Sequence, residues 1–163
     1  MAKRPSLPPK LSRFVSGPQS LGPAEELSDG SWAVAGRDAL VVVGPGGVTD
    51  SAMWYQVQYA RWDAATRGLT IVWVDPARPP LTATTVSEDP GGFMAEVSAN
   101  VTHALVVQKT AVTGSGTRIT ASVRRREDGR LFSALVADGP LDKPGQSAAD
   151  ALEREVREGV GLD

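Results

Sequence analysis

The stretch Trp32-Ala33-Val34-Ala35-Gly36-Arg37-Asp38-Ala39-Leu40-Val41-Val42-Val43, continuing to Val74, decides how this chain is built. Trp32 and Val34 alternate with small residues, as a strand requires, and Gly36-Arg37-Asp38 reads as a tight turn. Ala39–Val43 is an unbroken apolar run, the pattern of a strand buried on both faces. Gly44-Pro45-Gly46-Gly47 ends it. The ribbon Met53–Trp62 then alternates, with Met53, Tyr55, Val57, Tyr59 and Arg61 on one face and Trp54, Gln56, Gln58, Ala60 and Trp62 on the other. Both faces hold aromatics, so alternation alone does not choose the inward one. A turn over Asp63–Gly68 leads into the strand Leu69–Val74. Together these segments form an antiparallel framework.

Upstream, residues 1–24 carry Pro5, Pro8, Pro9, Pro18 and Pro23. Proline fixes φ and lacks a donor, so residues 1–20 are expected to be an extended or disordered arm, with Phe14-Val15 pinning it to the body. Residues 21–163 are expected to form a single α+β domain. Glu25–Ser28 ends a first strand, and Asp29-Gly30 supplies a hairpin turn. Downstream, Leu81–Val86 is a further strand by its threonine and valine content.

At Asp89-Pro90 the period changes. Phe93, Val97, Val101 and Leu105 recur every four residues and Met94 widens the stripe, which predicts a middle helix over 90–104. The period then returns to two. Val106–Thr113 and Thr117–Arg126 flank Gly114-Ser115-Gly116, and Asp128-Gly129 turns the chain into Leu131–Ala137. Gly139-Pro140 and Pro144-Gly145 mark a loop. A C-terminal helix is expected from Ser147, packing through Ala148, Ala151, Leu152 and Val156 and ending at Gly159.

Composition narrows the function classes. The chain has 163 residues, a net charge of −2 and 41% hydrophobic residues. That balance disfavours nonspecific nucleic-acid binding, which needs a basic footprint. No apolar run approaches the ~20 residues of a membrane span. The N-terminus shows no signal peptide, and Asn100-Val101-Thr102 matches a glycosylation pattern only by chance. There is no cysteine, which removes disulfides and thiolate chemistry and is compatible with the cytoplasm.

The candidate site residues are few. His103 is the single histidine, near a helix C-terminus where a cation is favourable, with no second ligand to join it. The acidic residues do not cluster as metal ligands do; Glu153–Arg157 is an i,i+4 pair on a solvated helix face. Neither glycine cluster has the spacing and helix context of a phosphate loop. Arg118, Arg124 and Arg126 share parity and could line one outward strand face that binds an anionic lipid or nucleic acid. The plainer reading is a strand kept from aggregating by charge. Trp54, Trp62 and Trp73 could floor a ligand pocket, although aromatics in paired strands are commonly core contacts.

Two pieces look familiar. The run Leu27-Ser28-Asp29-Gly30-Ser31-Trp32-Ala33-Val34-Ala35-Gly36-Arg37-Asp38-Ala39-Leu40, followed by Trp54-x-x-Val57, Ala60-x-Trp62-Asp63 and Leu69-Thr70-Ile71, resembles a family of uncharacterised actinobacterial proteins. Over residues 25–75 the same order is similar to bacterial pleckstrin-homology-like domains. The resemblance implies no activity and no catalytic residue. It also departs from the pleckstrin-like pattern, because a helix interrupts at 90–104 and three strands follow.

The expected fold is therefore α+β: a curved antiparallel sheet or partly open barrel, pleckstrin-homology-like in its first half, with a middle and a C-terminal helix. The expected function is a non-enzymatic cytoplasmic binding or scaffolding module recognising a protein segment. An exposed sheet edge could accept that segment as an added strand and would equally permit a homodimer. The rivals are a small-molecule binder or enzyme with a tryptophan-lined pocket, and a weak anionic-lipid or nucleic-acid binder through the arginines. No cofactor or metal is expected.

Overall fold

The computed structural model describes residues 6–162. Among them the chain is α+β, with four α-helices and ten strands in three sheets, all paired antiparallel, and no closed barrel. The contacts gather into two units: the chain up to Trp73 with Arg78–Val101, and Val74–Ala77 with the chain from Thr102 onward. The sequence suggested one domain over 21–163. Each unit has its own strands and an apolar face to cover.

In the first unit, β1 (Ala24–Glu26), β2 (Trp32–Ala35), β3 (Ala39–Gly44) and β4 (Gly47–Met53) form a sheet in chain order. The Asp29-Gly30 turn is present: Gly30 takes φ +87°, and the Asp29 carboxylate accepts from the Ser31 amide and hydroxyl. β3 lies between β2 and β4, and Leu40, Val41, Val42 and Val43 are all buried, as the unbroken apolar run predicts.

The expected ribbon Met53–Trp62 is two elements. β4 ends at Met53, a 3₁₀ turn covers Trp54–Gln56, and β5 (Val57–Asp63) follows. The Gln56 side chain accepts from the Met53 amide at 2.9 Å, and Trp54 Nε1 donates to the Gly36 carbonyl at 2.9 Å. Those two bonds turn the chain and draw Trp54 inward, which alternation cannot signal. β5 pairs with β6 (Gly68–Trp73), and β6 with β7 (Leu81–Thr84). β7 and β1 meet through a Leu27–Thr85 bridge and two amide bonds, Ser28 to Thr84 and Val86 to Glu26. These join the rims of the first unit's two sheets.

The N-terminal expectation changes. Residues 1–5 lie outside the described residues, but α1 (Pro9–Ser12) and α2 (Gly17–Ser20) are short helices. Leu7, Leu11 and Val15 are buried with Ala24, Val34, Val41 and Val43. Pro9 and Pro18 sit in the first helical turns, where a missing N–H costs nothing, so proline here starts helices. α3 (Gly91–Ala104) forms as its period predicts. Phe93 and Val97 are buried, while Leu105 has already passed into the next strand.

In the second unit, β8 (Leu105–Val112), β9 (Arg118–Arg125) and β10 (Leu131–Ala137) form a sheet with β9 in the middle. Gly116 and Gly129 take positive φ in the two hairpin turns. α4 (Lys143–Gly159) begins four residues before the expected Ser147. Asp142 caps it by accepting from the Gly145 amide, and Pro144 lies in the first turn rather than in a loop. Its buried line is Gly145, Ala149 and Val156, with Leu152 half-buried; Ala148 and Ala151 are exposed. Val156 and Leu152 pack on Ala121 and Val123 of β9.

Candidate functional site

The three candidate tryptophans do not share a pocket floor. Trp54 is buried on its 3₁₀ turn, with its N–H on Gly36. Trp62 and Trp73 stand at opposite ends of the β5–β6 hairpin, where Trp62 faces Leu69 and Trp73 faces Val57. Trp62 Nε1 donates to Thr85 Oγ1 at 3.0 Å, and Trp73 Nε1 to the Pro79 carbonyl at 2.9 Å. The Arg78 guanidinium stacks 3.7 Å from the Trp73 ring and bonds Asp50 of β4. Every one of these indole donors is used inside the fold, the usual condition of packed tryptophan.

The arginines also separate. Arg118 is exposed at the start of β9, whereas Arg124 is 1% exposed and donates from Nε to Ser122 Oγ at 3.2 Å. Burial lowers the Arg124 pKa from its ordinary value. Arg126 lies beyond the strand end, its guanidinium 4.6 Å from the Phe132 ring. The expected outward row of Arg118, Arg124 and Arg126 is therefore not a solvent-facing strip. β9 is the central strand, so its side chains have neighbours on either hand. Arg125, of opposite parity, donates to the His103 carbonyl at 2.7 Å and neutralises the end of α3. His103 belongs to that capping contact.

Glu25 of β1 is a buried carboxylate, 3% exposed. Burial first, and the charge of Asp89 second, raise its pKa above the ordinary carboxylate value.

An open concavity of about 640 Å³ lies along α4, lined by Asp150, Glu153, Arg154, Arg157, Glu158 and Leu162. It lies on the β10 side of the helix. Ser133 Oγ of β10 donates to Glu153 at 2.7 Å and accepts from Arg157 at 2.8 Å, while Lys109 of β8 meets Glu155. Both carboxylates and guanidiniums line this flank, so it has no single sign of charge.

The sheet rims differ sharply in protection. β1 and β7 meet one another. β4 carries Asp50 and a register shift between Val48 and Asp50; β5 carries Arg61 and Asp63 and a shift between Val57 and Tyr59; β8 carries Lys109 and a shift between Leu105 and Val107. Charge and bulges are the devices that keep edges from pairing. β10 has neither. Its seven residues, Leu-Phe-Ser-Ala-Leu-Val-Ala, contain no charge and no proline, pair evenly with β9, and are half-exposed throughout. Arg126 donates its amide to Arg130 and Asp138 donates to Arg118, so the even-numbered residues of β10 bond inward. The amides and carbonyls of Leu131, Ser133, Leu135 and Ala137 therefore point away from the sheet. The uncharged run between Arg130 and Asp138 was the available signal in the sequence; that this strand is an edge was not.

No helix among the described residues is long and apolar enough to cross a membrane. No protein-family model, curated protein or solved structure matches this chain.

Proposed function

We propose that this chain is a non-enzymatic binding module that takes up an extended polypeptide segment as an added strand along β10. The observation that carries the reading is the unprotected rim: four residues direct main-chain groups outward from an uncharged seven-residue strand. Main-chain bonds supply affinity in strand addition, and side chains of alternate residues supply selectivity. The mixed-charge flank of α4 beside the rim offers contacts to polar side chains of the segment. Catalysis by a tryptophan pocket or anion binding by an arginine strip has less support, because the indole donors are occupied and Arg124 is buried.

The test uses displayed random decapeptides selected on the intact chain, followed by amide hydrogen exchange. Selected peptides should slow exchange at Leu131, Ser133, Leu135 and Ala137. They should bind Ala137→Pro at least roughly tenfold more weakly, since proline removes an outward donor while an edge strand tolerates it. Selection of peptides that bind Ala137→Pro equally, or that protect another segment, would overturn the proposal.

A further inference from the structure

We infer that the segment added along β10 is β10 of a second copy, paired antiparallel about a two-fold axis through Ala134; this rests on the strand-addition reading above. Three features of the strand single out this partner and this register.

The first is parity. Only Leu131, Ser133, Leu135 and Ala137 offer outward main-chain groups. Centring the pair on Ala134 sets Leu131 against the partner copy's residue 137 and Ser133 against its residue 135. Every outward donor then meets an outward acceptor, giving roughly eight main-chain bonds. Registers that differ by one residue set outward groups against inward ones and form none.

Charge is the second. Arg130 and Asp138 bracket the strand, each four residues from Ala134. In this register Arg130 of each copy lies opposite position 138 of the other, so two ion pairs close the ends. Arg130 is 85% exposed on its side chain and pairs with Asp128 at 3.7 Å, a solvent-screened contact that it would exchange for the one across the axis. The neighbouring allowed registers lose this. Centring on Ser133 sets Asp128 against position 138, two like charges, and centring on Leu135 sets Asp138 against a phenylalanine at position 132. Like charges directly opposite are unfavourable, and an unpaired carboxylate against an aromatic has no partner.

The third is what lies on the two faces. Such an axis keeps the same face of both sheets on one side, so the two α4 helices lie side by side. The concavity on the β10 flank of α4, with Asp150, Glu153, Arg154, Arg157 and Glu158, then faces its own antiparallel copy. A flank carrying both signs is suited to meeting itself, as a two-fold interface requires. The product is a continuous sheet of three strands from each copy.

The chain has no cysteine, so a single introduced thiol reports on the axis unambiguously. Ala134→Cys places both thiols at the two-fold, in a non-hydrogen-bonded pair whose spacing admits a disulfide. Val136→Cys places them roughly 13 Å apart. The wild-type chain should sediment at twice 17.1 kDa at micromolar concentration. Mild oxidation should crosslink Ala134→Cys at least tenfold faster than Val136→Cys. Arg130→Asp should weaken the dimer tenfold or more, and adding Asp138→Arg should restore it to within about threefold, a rescue that a purely structural role would not produce. A monomer at all concentrations, equal crosslinking of the two cysteine variants, or no rescue would overturn the inference. A monomer that still binds selected peptides along β10 removes the inference alone; loss of both removes the strand-addition reading as well.

Discussion

The Gln19 side chain grips the Asp38 turn from both ends of its amide: Oε1 accepts the Asp38 amide at 2.8 Å and the Ala39 amide at 3.1 Å, and Nε2 donates to the Asp38 carboxylate at 3.0 Å. The N-terminal segment is thereby fastened to the turn that starts β3. Gln19→Ala leaves two main-chain donors without their acceptor and should cost about 1–3 kcal/mol. Gly22→Ala attacks the same docking by another route, because a Cβ there would stand 1.8 Å from the Ala35 carbonyl oxygen. Urea titration should place both variants below wild type; unchanged midpoints would mean that the segment contributes nothing to stability.

Arg78 joins β4 to β6 through Asp50, the Ser51 carbonyl and the Trp73 ring. The pair with Asp50 is about one-third exposed on each side, so solvent screening leaves it a modest share. Stacking on tryptophan adds about 0.5–1 kcal/mol at a site this accessible. Arg78→Ala should therefore lower stability by about 1–2 kcal/mol. Arg78→Lys should recover only part of the loss, since an ammonium cannot stack and bond both oxygens together. Equal stability of the lysine variant and wild type would count against the stacked geometry.

Glu25 gives the fold a pH dependence with a definite sign. Its pKa in the folded chain is raised above the ordinary 4.5, by burial and then by Asp89, so the folded state holds its proton more tightly than the unfolded one. Ionising it costs stability. The cost is absent below the unfolded value and develops as pH rises through the folded one. Glu25→Gln should be more stable than wild type at about pH 7, with the gain shrinking toward about pH 4. Thermal melts at the two pH values measure this, and a gain independent of pH would refute the assignment.

Asp142 caps α4 five residues ahead of Ser147. Asp142→Ala removes the acceptor for the Gly145 amide and should cost about 1 kcal/mol, whereas Ser147→Ala, inside an exposed helical turn, should cost little. The reverse order of effects in a denaturant series would restore Ser147 as the cap.

Much of the local structure was legible in the sequence. The apolar run at Ala39–Val43, the Asp29-Gly30 and Asp128-Gly129 turns and the change of period at Asp89 each became the expected element. Side-chain alternation and backbone preference act within a few residues, so the pattern is written where it operates. The sequence by itself thus determined an α+β chain of short antiparallel hairpins with a middle and a C-terminal helix. Tertiary structure decided the rest. Trp54 leaves its ribbon because a carbonyl eighteen residues away takes its N–H; the N-terminal prolines start helices because Leu11 and Val15 find a sheet to cover. β10 is a rim only because it pairs on one side while β9 pairs on both, and it is on that central strand that Arg124 is buried. Strand order and burial arise from contacts distant in sequence, which no local period records.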